Sequence, residues 1–402
     1  MKYDVIVIGG GASGMMAAIH SASLHNKVLL IEKNKKLGKK LSVTGNGKCN
    51  LTNEHISLKE YHNCYPEQMN EILSNYDTQK ILDYFESIGL HCKNKNGYYY
   101  PLSGQAAVVV QLLEAELLRN SVSVMTETEV CDVKIVNTNQ FTVLTDKGIF
   151  ESSGLIISSG GQAAPVYGSN DFGYRLLKSL GHTIKETSPA LVQLNVKEKY
   201  IKKLSGVRFD AEISLETEDK KKYNDSGEII FTDTGVSGIP VFQISRYTDS
   251  HSVLHIDAIP SYSHNEIETL LKKSVSHNKD LSLEYLMRGF CNHKLVYYLL
   301  LEAGFNPEER CSSLSDKDLI RMVSLFKNIR MSITGRKGFE SAQVTKGGVP
   351  FNEINPKTME SVIIKNLYVT GELIDVDGIC GGYNLHFAWA SGMIAGKACC
   401  RK

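Results

Sequence analysis

The sequence predicts an α/β chain in which a split Rossmann-like domain carries an inserted antiparallel β domain, and the insertion carries a helical subdomain. Three observations predict it. Near the start, Gly9-Gly10-Gly11-Ala12-Ser13-Gly14 joins a β-branched run to a helix of small residues. Near the end, a run closing on Gly371-Glu372 is followed by a helix opened by Gly381-Gly382. Between them, buried runs give way near Leu191 to apolar/polar alternation and, from Ser263, to helical spacing. A chain of 402 residues also exceeds what one hydrophobic core fills. The changes of period place a first domain at 1–190 with 345–402, an inserted β domain at 191–260 with 331–344, and a helical subdomain at 261–330.

The first element is a strand, Tyr3 to Ile8, with the composition of a parallel strand covered on both faces. It runs into a GxGxxG turn and a helix carrying Met15, Met16 and Ile19, and Lys27 to Ile31 supplies a second buried strand ending in Glu32. Strand, glycines, helix, strand and acid in that order form a dinucleotide fingerprint. Gly9 permits the tight turn, Gly11 lets backbone N–H groups approach a pyrophosphate, and Gly14 lets helix and strand pack closely. The helix start at Ala12 and Ser13 faces the phosphates. Glu32, with Lys33 beside it, is placed to accept hydrogen bonds from a ribose. An acid there disfavours a 2′-phosphate, so the nucleotide is FAD or NAD rather than NADP.

The next elements separate these two. Val122–Met125, Glu129–Val136 (with Val130), Phe141–Thr145 and Gly148–Glu151 read as short strands leading to an apolar strand and the pair Gly160-Gly161. A simple NAD dehydrogenase would continue with alternating strands and helices. A meander closed by a Gly pair instead resembles the FAD domain of the glutathione-reductase-like superfamily. In that resemblance the C-terminal strand places Gly371 and Glu372 on the ribityl chain. The helix opened by Gly382, Tyr383, Asn384 and Leu385 faces the flavin N1/O2 edge, where its positive end stabilises the charge of reduction.

With Gly38-Lys39-Lys40-Leu41-Ser42 and Thr44-Gly45-Asn46-Gly47-Lys48-Cys49-Asn50, these motifs resemble the BaiN/YhiN-like flavoprotein family, which includes aminoacetone oxidase-like members. Further matching stretches are Tyr100–Ser103, Phe231–Gly238, Val344–Val349 and Thr358–Ser361, so the resemblance runs along essentially the whole chain. It implies that Lys40, Gly47, Lys48, Cys49 and Asn50 join the cofactor site, and that the insertion caps the flavin and supplies the substrate pocket. Lys48 departs from the family's usual Arg and loses a bidentate fork for an anion. Ile239, Val362 and Tyr99 depart from the usual Gly, Lys and Phe.

Within the insertion, Phe209, Ala211, Ile213 and Leu215 alternate with Asp210, Glu212 and Ser214, the period of a half-solvated antiparallel strand. Ser263-His264-Asn265-Glu266 has the form of a capping box, and helical runs follow at Lys294–Ala303 and Asp316–Lys327.

Composition excludes several classes. Lys and Arg number 45 against 44 Asp and Glu, so no global charge draws the chain to nucleic acid or a membrane. Nine cysteines without a short-spaced framework indicate reduced thiols and a cytoplasmic location. Met1 to Ala22 is not a signal peptide, because glycines break its apolar core, and no run reaches membrane-spanning length. There is no CxxxxC pair for a dithiol relay and no second GxGxxG, so NADH or NADPH would act as a transient reductant. His251, His255 and His264 are too scattered for a metal site. Cys49, Tyr383 and His386 are the candidate catalytic groups, each with a packing reading beside it. Lysines at 33–40, 197–203 and 220–222, with Arg321, Lys327, Arg330, Arg336 and Lys337, form a basic rim that suits a polyanion.

The resemblance implies an FAD-dependent oxidoreductase. The first reading is an NAD(P)H-driven reductase of a carbon–carbon double bond, in an unsaturated small molecule or in a uridine of large ribosomal RNA giving dihydrouridine. One alternative is an oxidase of a small amine such as aminoacetone that forms hydrogen peroxide. The other is a non-enzymatic FAD-dependent RNA-binding factor.

Overall fold

A computed structural model describes residues 1–62, 65–137 and 140–399. The chain folds as two compact units, Met1–Pro189 with Gln343–Lys402, and Ala190–Ala342. Each unit has its own hydrophobic core.

The first unit is built on a seven-stranded sheet. At its centre lies β1 (Lys2–Ile8), whose Val5, Ile6 and Val7 are fully buried, as the unbroken apolar run requires. It leads through the glycine turn into α1 (Ala12–Ala22) and then β2 (Val28–Ile31), which pairs parallel with β1. The meander has three strands, Val130–Asn137, Gln140–Thr145 and β3 (Gly148–Ile157). Ser123–Met125 is not part of it: that strand pairs parallel with β2 on the other side of the sheet. The polar break at Ser152-Ser153 suggests two strands, but β3 is continuous. Its first half pairs antiparallel with Gln140–Thr145, and its second half lies parallel to both β1 and Leu367–Val369.

Two further strands, β4 (Lys185–Ala190) and β5 (Val344–Gly348), pair with each other as a two-stranded ribbon. They are the segments by which the chain leaves and re-enters this unit. The last helix, α2 (Tyr383–Ala398), packs along α1. A Cβ on Gly392 would strike the Ser13 carbonyl oxygen, and one on Gly396 the Ala17 carbonyl oxygen. Glycine at both positions is therefore what allows the close approach, and the matched spacing makes the helices parallel.

The second unit is a closed antiparallel barrel of six strands, in spatial order Leu194–Val196, Gly235–Gly238, Lys222–Thr232, Arg208–Glu216, Val253–Asp257 and Ile329–Arg336. Alternation indicates half-covered strands but not closure, which depends on long-range pairing of Leu194–Val196 with Ile329–Arg336. Ala211, Ile213 and Leu215 point into the core. Four helices, His264–His277, Leu283–Met287, His293–Glu302 and Asp316–Lys327, stand between two neighbouring barrel strands. Ser263 and Glu266 form the expected reciprocal capping box. Among the described residues no helix is long and apolar enough to cross a membrane.

Candidate functional site

The candidate site lies within the first unit, where β1, β3 and both long helices present their ends. Gly9 adopts φ +104°, and a Cβ there would sit 2.5 Å from the Ser158 carbonyl oxygen at the end of β3. A Cβ on Gly14 would overlap the Gly9 carbonyl. Both glycines are therefore steric requirements of the turn. Gly11 differs: nothing lies within 4 Å of its Cβ position, so its backbone faces open space. It starts α1 without a capping side chain or an acid in the first turn. Helices elsewhere in the chain, such as those capped by Asp77, Ser263 and Ser315, do not leave their first N–H groups in this way.

Gly382 opens α2 in the same manner, at φ +95° with no side-chain cap and no first-turn acid. Its missing Cβ accommodates the Thr52 backbone at 2.8 Å. Because Gly392 lies against Ser13 in parallel helices, the first turn of α2 stands roughly 12 Å beyond that of α1, at 1.5 Å rise per residue. Two uncapped, positively polarised ends thus line up along one direction.

Two acids flank these ends. Glu32 is buried; its Oε2 accepts from the Gly10 N–H at 2.8 Å, and its Oε1 accepts from Asn34 N–H and Nδ2, both at 2.7 Å. Glu372 accepts at Oε1 from the Thr345 N–H (2.7 Å) and at Oε2 from Lys40 Nζ (2.9 Å). Each acid is held in place and keeps lone pairs for further donors. Gly371, at φ +64°, approaches Ser13 and donates its N–H to Ser391 Oγ at 3.0 Å. A Cβ on Gly161 would come within 2.7 Å of Glu372 Oε1, whereas Gly160, at φ +75°, faces open space. Ser159 Oγ and Asn50 Oδ1 are buried without hydrogen-bond partners among the described residues, which costs stability unless a ligand supplies them.

The loop expected to join the site is conformationally unusual. Gly45, Asn46, Gly47 and Cys49 all have positive φ, between 54° and 80°. Gly47 and Lys48 are exposed, as is Lys33. Val130 is a buried strand residue. Asn384 is engaged with Gly378 through two hydrogen bonds of 2.8 Å, and Leu385 is half-buried.

Of the catalytic candidates, Cys49 and His386 take their packing readings. Cys49 is fully buried, and burial pushes its thiol up to about 12, far from a reactive thiolate. His386 is fully buried, with Nδ1 accepting from Thr52 Oγ1 and Nε2 donating to the Tyr76 carbonyl, each at 2.8 Å. Burial lowers its pKa to about 4, so the ring is neutral and both nitrogens are engaged. Tyr383 is different. Burial and then Glu60 push its phenol up to about 12, and none of the described residues takes its hydroxyl. Its backbone carbonyl accepts from Tyr61 Oη at 2.9 Å, which fixes the residue.

Sequence reasoning missed Thr345 as a site residue, although it lies in a stretch that matches the family. Its Oγ1 accepts from the N–H groups of Gln162 (2.9 Å) and Ala163 (3.1 Å), and its own N–H holds Glu372. One residue therefore ties the glycine pair to the acid. No residue-type signal marks such a role, because its contacts are to distant backbone.

The residues fit an FAD. Two uncapped helix ends in line, two fixed acids and buried polar atoms without partners offer complements to a pyrophosphate, two polyol segments and an anionic ring edge. A profile described as the HI0933-like protein Rossmann domain matches residues 3–398. A 3-dehydro-bile acid delta(4,6)-reductase of Clostridium scindens is 37% identical over 400 residues, covering 98% of each chain. A ribosomal RNA dihydrouridine synthase of Haemophilus influenzae is 29% identical, covering 96% of each. Among solved structures, a 3-ketosteroid-delta4-(5alpha)-dehydrogenase from Rhodococcus jostii has a TM-score of 0.50 at 14% identity, covering all of this chain and 97% of that one. At that identity the likeness is one of fold.

Proposed function

Because the chain belongs to the HI0933-like family of FAD-dependent oxidoreductases, we propose that it reduces a carbon–carbon double bond conjugated to a carbonyl, using NADH or NADPH as the electron source. The observation that supports this reading is that two relatives aligned end to end, with chemically unlike substrates, are both named for saturating such a bond. When bound, FAD would supply the hydride-transfer chemistry that such a reduction needs. The chain's own residues hold and polarise. The α1 end would hold the pyrophosphate, Glu32 and Glu372 would accept from hydroxyl groups, and the α2 end would stabilise negative charge on the reduced cofactor.

The α-carbon then needs a proton. Tyr383 is the residue that supplies it, since its phenol stays protonated at neutral pH and has no partner among the described residues. The test is anaerobic mixing with NADH, NADPH and aminoacetone separately, followed by addition of an acceptor. Bleaching of the flavin by a nicotinamide, and recolouring by an enone or a uridine-containing RNA, is the expected result. Bleaching by aminoacetone alone, with peroxide on admitting oxygen, would make the protein an oxidase. In Tyr383→Phe, nicotinamide bleaching should be unchanged while recolouring by the acceptor slows roughly 100-fold, within the range of general acid catalysis.

A further inference from the structure

The basic rim read from the sequence resolves into matched and unmatched lysines. Lys220, Lys221 and Lys222 pair with Glu216 and Asp219 at 2.6–3.6 Å. Lys327 is buried on Asp257 at 2.5 Å, and Arg321 lies 3.6 Å from Asp318. In contrast, Lys199, Lys202, Lys203 and Lys294 form no ion pair among the described residues. Residues 197–203 hold four lysines against one glutamate, and Glu198 is engaged with the Ser332 N–H.

Two of these unmatched cations, Lys203 and Lys294, line a recess of about 240 Å³ in the second unit, between residues 200–203 and the helix His293–Glu302, with His293 beside them. Tyr200 and Tyr297 form its walls and Tyr298 is buried beneath. Each wall tyrosine is 41% exposed, a large aromatic area to leave in water. Lys203 Nζ stands 4.9 Å over the Tyr200 ring, and Lys294 is at the rim. The lining has one acid, Glu284, which is neutralised by Arg288 at 2.7 Å. The Arg288 guanidinium also lies 5.8 Å over the face of Tyr285, which is 60% exposed.

Part-exposed tyrosine rings beside lysines that lack a carboxylate partner suit a strand of flat bases joined by phosphates. An acidic peptide would use the cations and leave the tyrosine faces unfilled; a second apolar surface would do the reverse. We propose that this recess docks single-stranded RNA, with a base between Tyr200 and Tyr297 and phosphates on Lys203 and Lys294. The proposal deepens the reductase reading, on which it rests, by choosing the uridine-bearing acceptor over a small enone.

The test is fluorescence anisotropy of the FAD-loaded protein with a labelled single-stranded oligoribonucleotide of mixed sequence, at several salt concentrations, beside nicotinamide bleaching of the same samples. Tyr297→Ala should weaken binding at least about fivefold, and Tyr297→Phe should retain it, because the ring face is what stacks. Removing both Lys203 and Lys294 as alanines should lower the salt slope by about 0.7 for each phosphate that is no longer neutralised. All variants should bleach as the wild type does. No binding at low salt, or binding that Tyr297→Ala leaves unchanged, overturns the proposal. So does concentration-dependent self-association that Tyr297→Ala abolishes, which would mean that a second copy of the chain is the occupant. If RNA binds as expected but no nicotinamide bleaches the flavin, the reductase reading fails while the docking site stands; normal bleaching without RNA binding has the opposite meaning.

Discussion

His386 and His20 are buried rings in the first unit whose pKa values burial lowers to about 4. For His20, the Lys397 charge adds to the effect. In the unfolded chain both rings charge below about 6.5. The unfolded state therefore binds more protons between those values, and folding stability falls as pH drops through that window. Each ring contributes about 1.4 kcal/mol per pH unit there, so lowering the pH from 7 to 5 should remove about 3 to 4 kcal/mol from the pair. Urea midpoints at the two pH values check this. His386→Gln should remove close to half of the histidine-dependent loss, and an identical loss in the variant would disprove the assignment. The same residue shows what sequence can reveal at this scale. Glu32 was legible as the acid closing a fingerprint, because its role is set by position along the chain. His386 and Cys49 lie next to the site in sequence, but their roles are set by what covers them. For His386 that cover is Thr52 and Tyr76, which come from so far along the chain that spacing says nothing.

The pairing of α1 and α2 decides where the two polarised helix ends stand. Gly396→Ala would gain about 1 kcal/mol of helix propensity. Its new methyl group would meet the Ala17 carbonyl oxygen, a backbone atom that cannot rotate away, and overpacking of this kind costs about 1–3 kcal/mol. The clash is expected to win, giving a lower melting temperature. Gly392→Ala, whose methyl would meet the Ser13 carbonyl, should in addition reduce the flavin retained on purification if, as proposed, the turn that contains Ser13 holds the pyrophosphate. A variant as stable and as yellow as the wild type would show that the helices separate freely. The helices themselves were legible from small residues and glycine starts; their contact was not, because nothing links positions 13 and 392 in the sequence. The merging of two expected strands into β3 has a similar cause. Ser152 is fully buried by its neighbours although its own type favours exposure.

Across the whole molecule, the order of buried, alternating and helical segments was enough to anticipate an α/β platform with a β insertion, since each reflects the local environment of its own residues. Closure of the barrel and pairing of β4 with β5 were not legible, because both join segments more than a hundred residues apart. The β4/β5 ribbon brings the two crossing points side by side. It is fastened by Gln162 Nε2 to Thr187 Oγ1 (3.0 Å), Lys185 to Asp375 (2.7 Å) and Thr345 to Glu372 (2.7 Å). With the ends already adjacent, a short glycine-rich turn in place of Ala190–Ala342 closes a small loop at little entropic cost. The shortened chain should fold, bind FAD and appear yellow, yet lose acceptor reduction; a colourless aggregate would show that the first unit depends on the second. Attachment through adjoining strands also has an evolutionary meaning. A cassette joined at one socket can be remodelled, enlarged or exchanged while the redox engine that carries it is inherited unaltered, which gives this lineage a route to new acceptors without reinventing its cofactor.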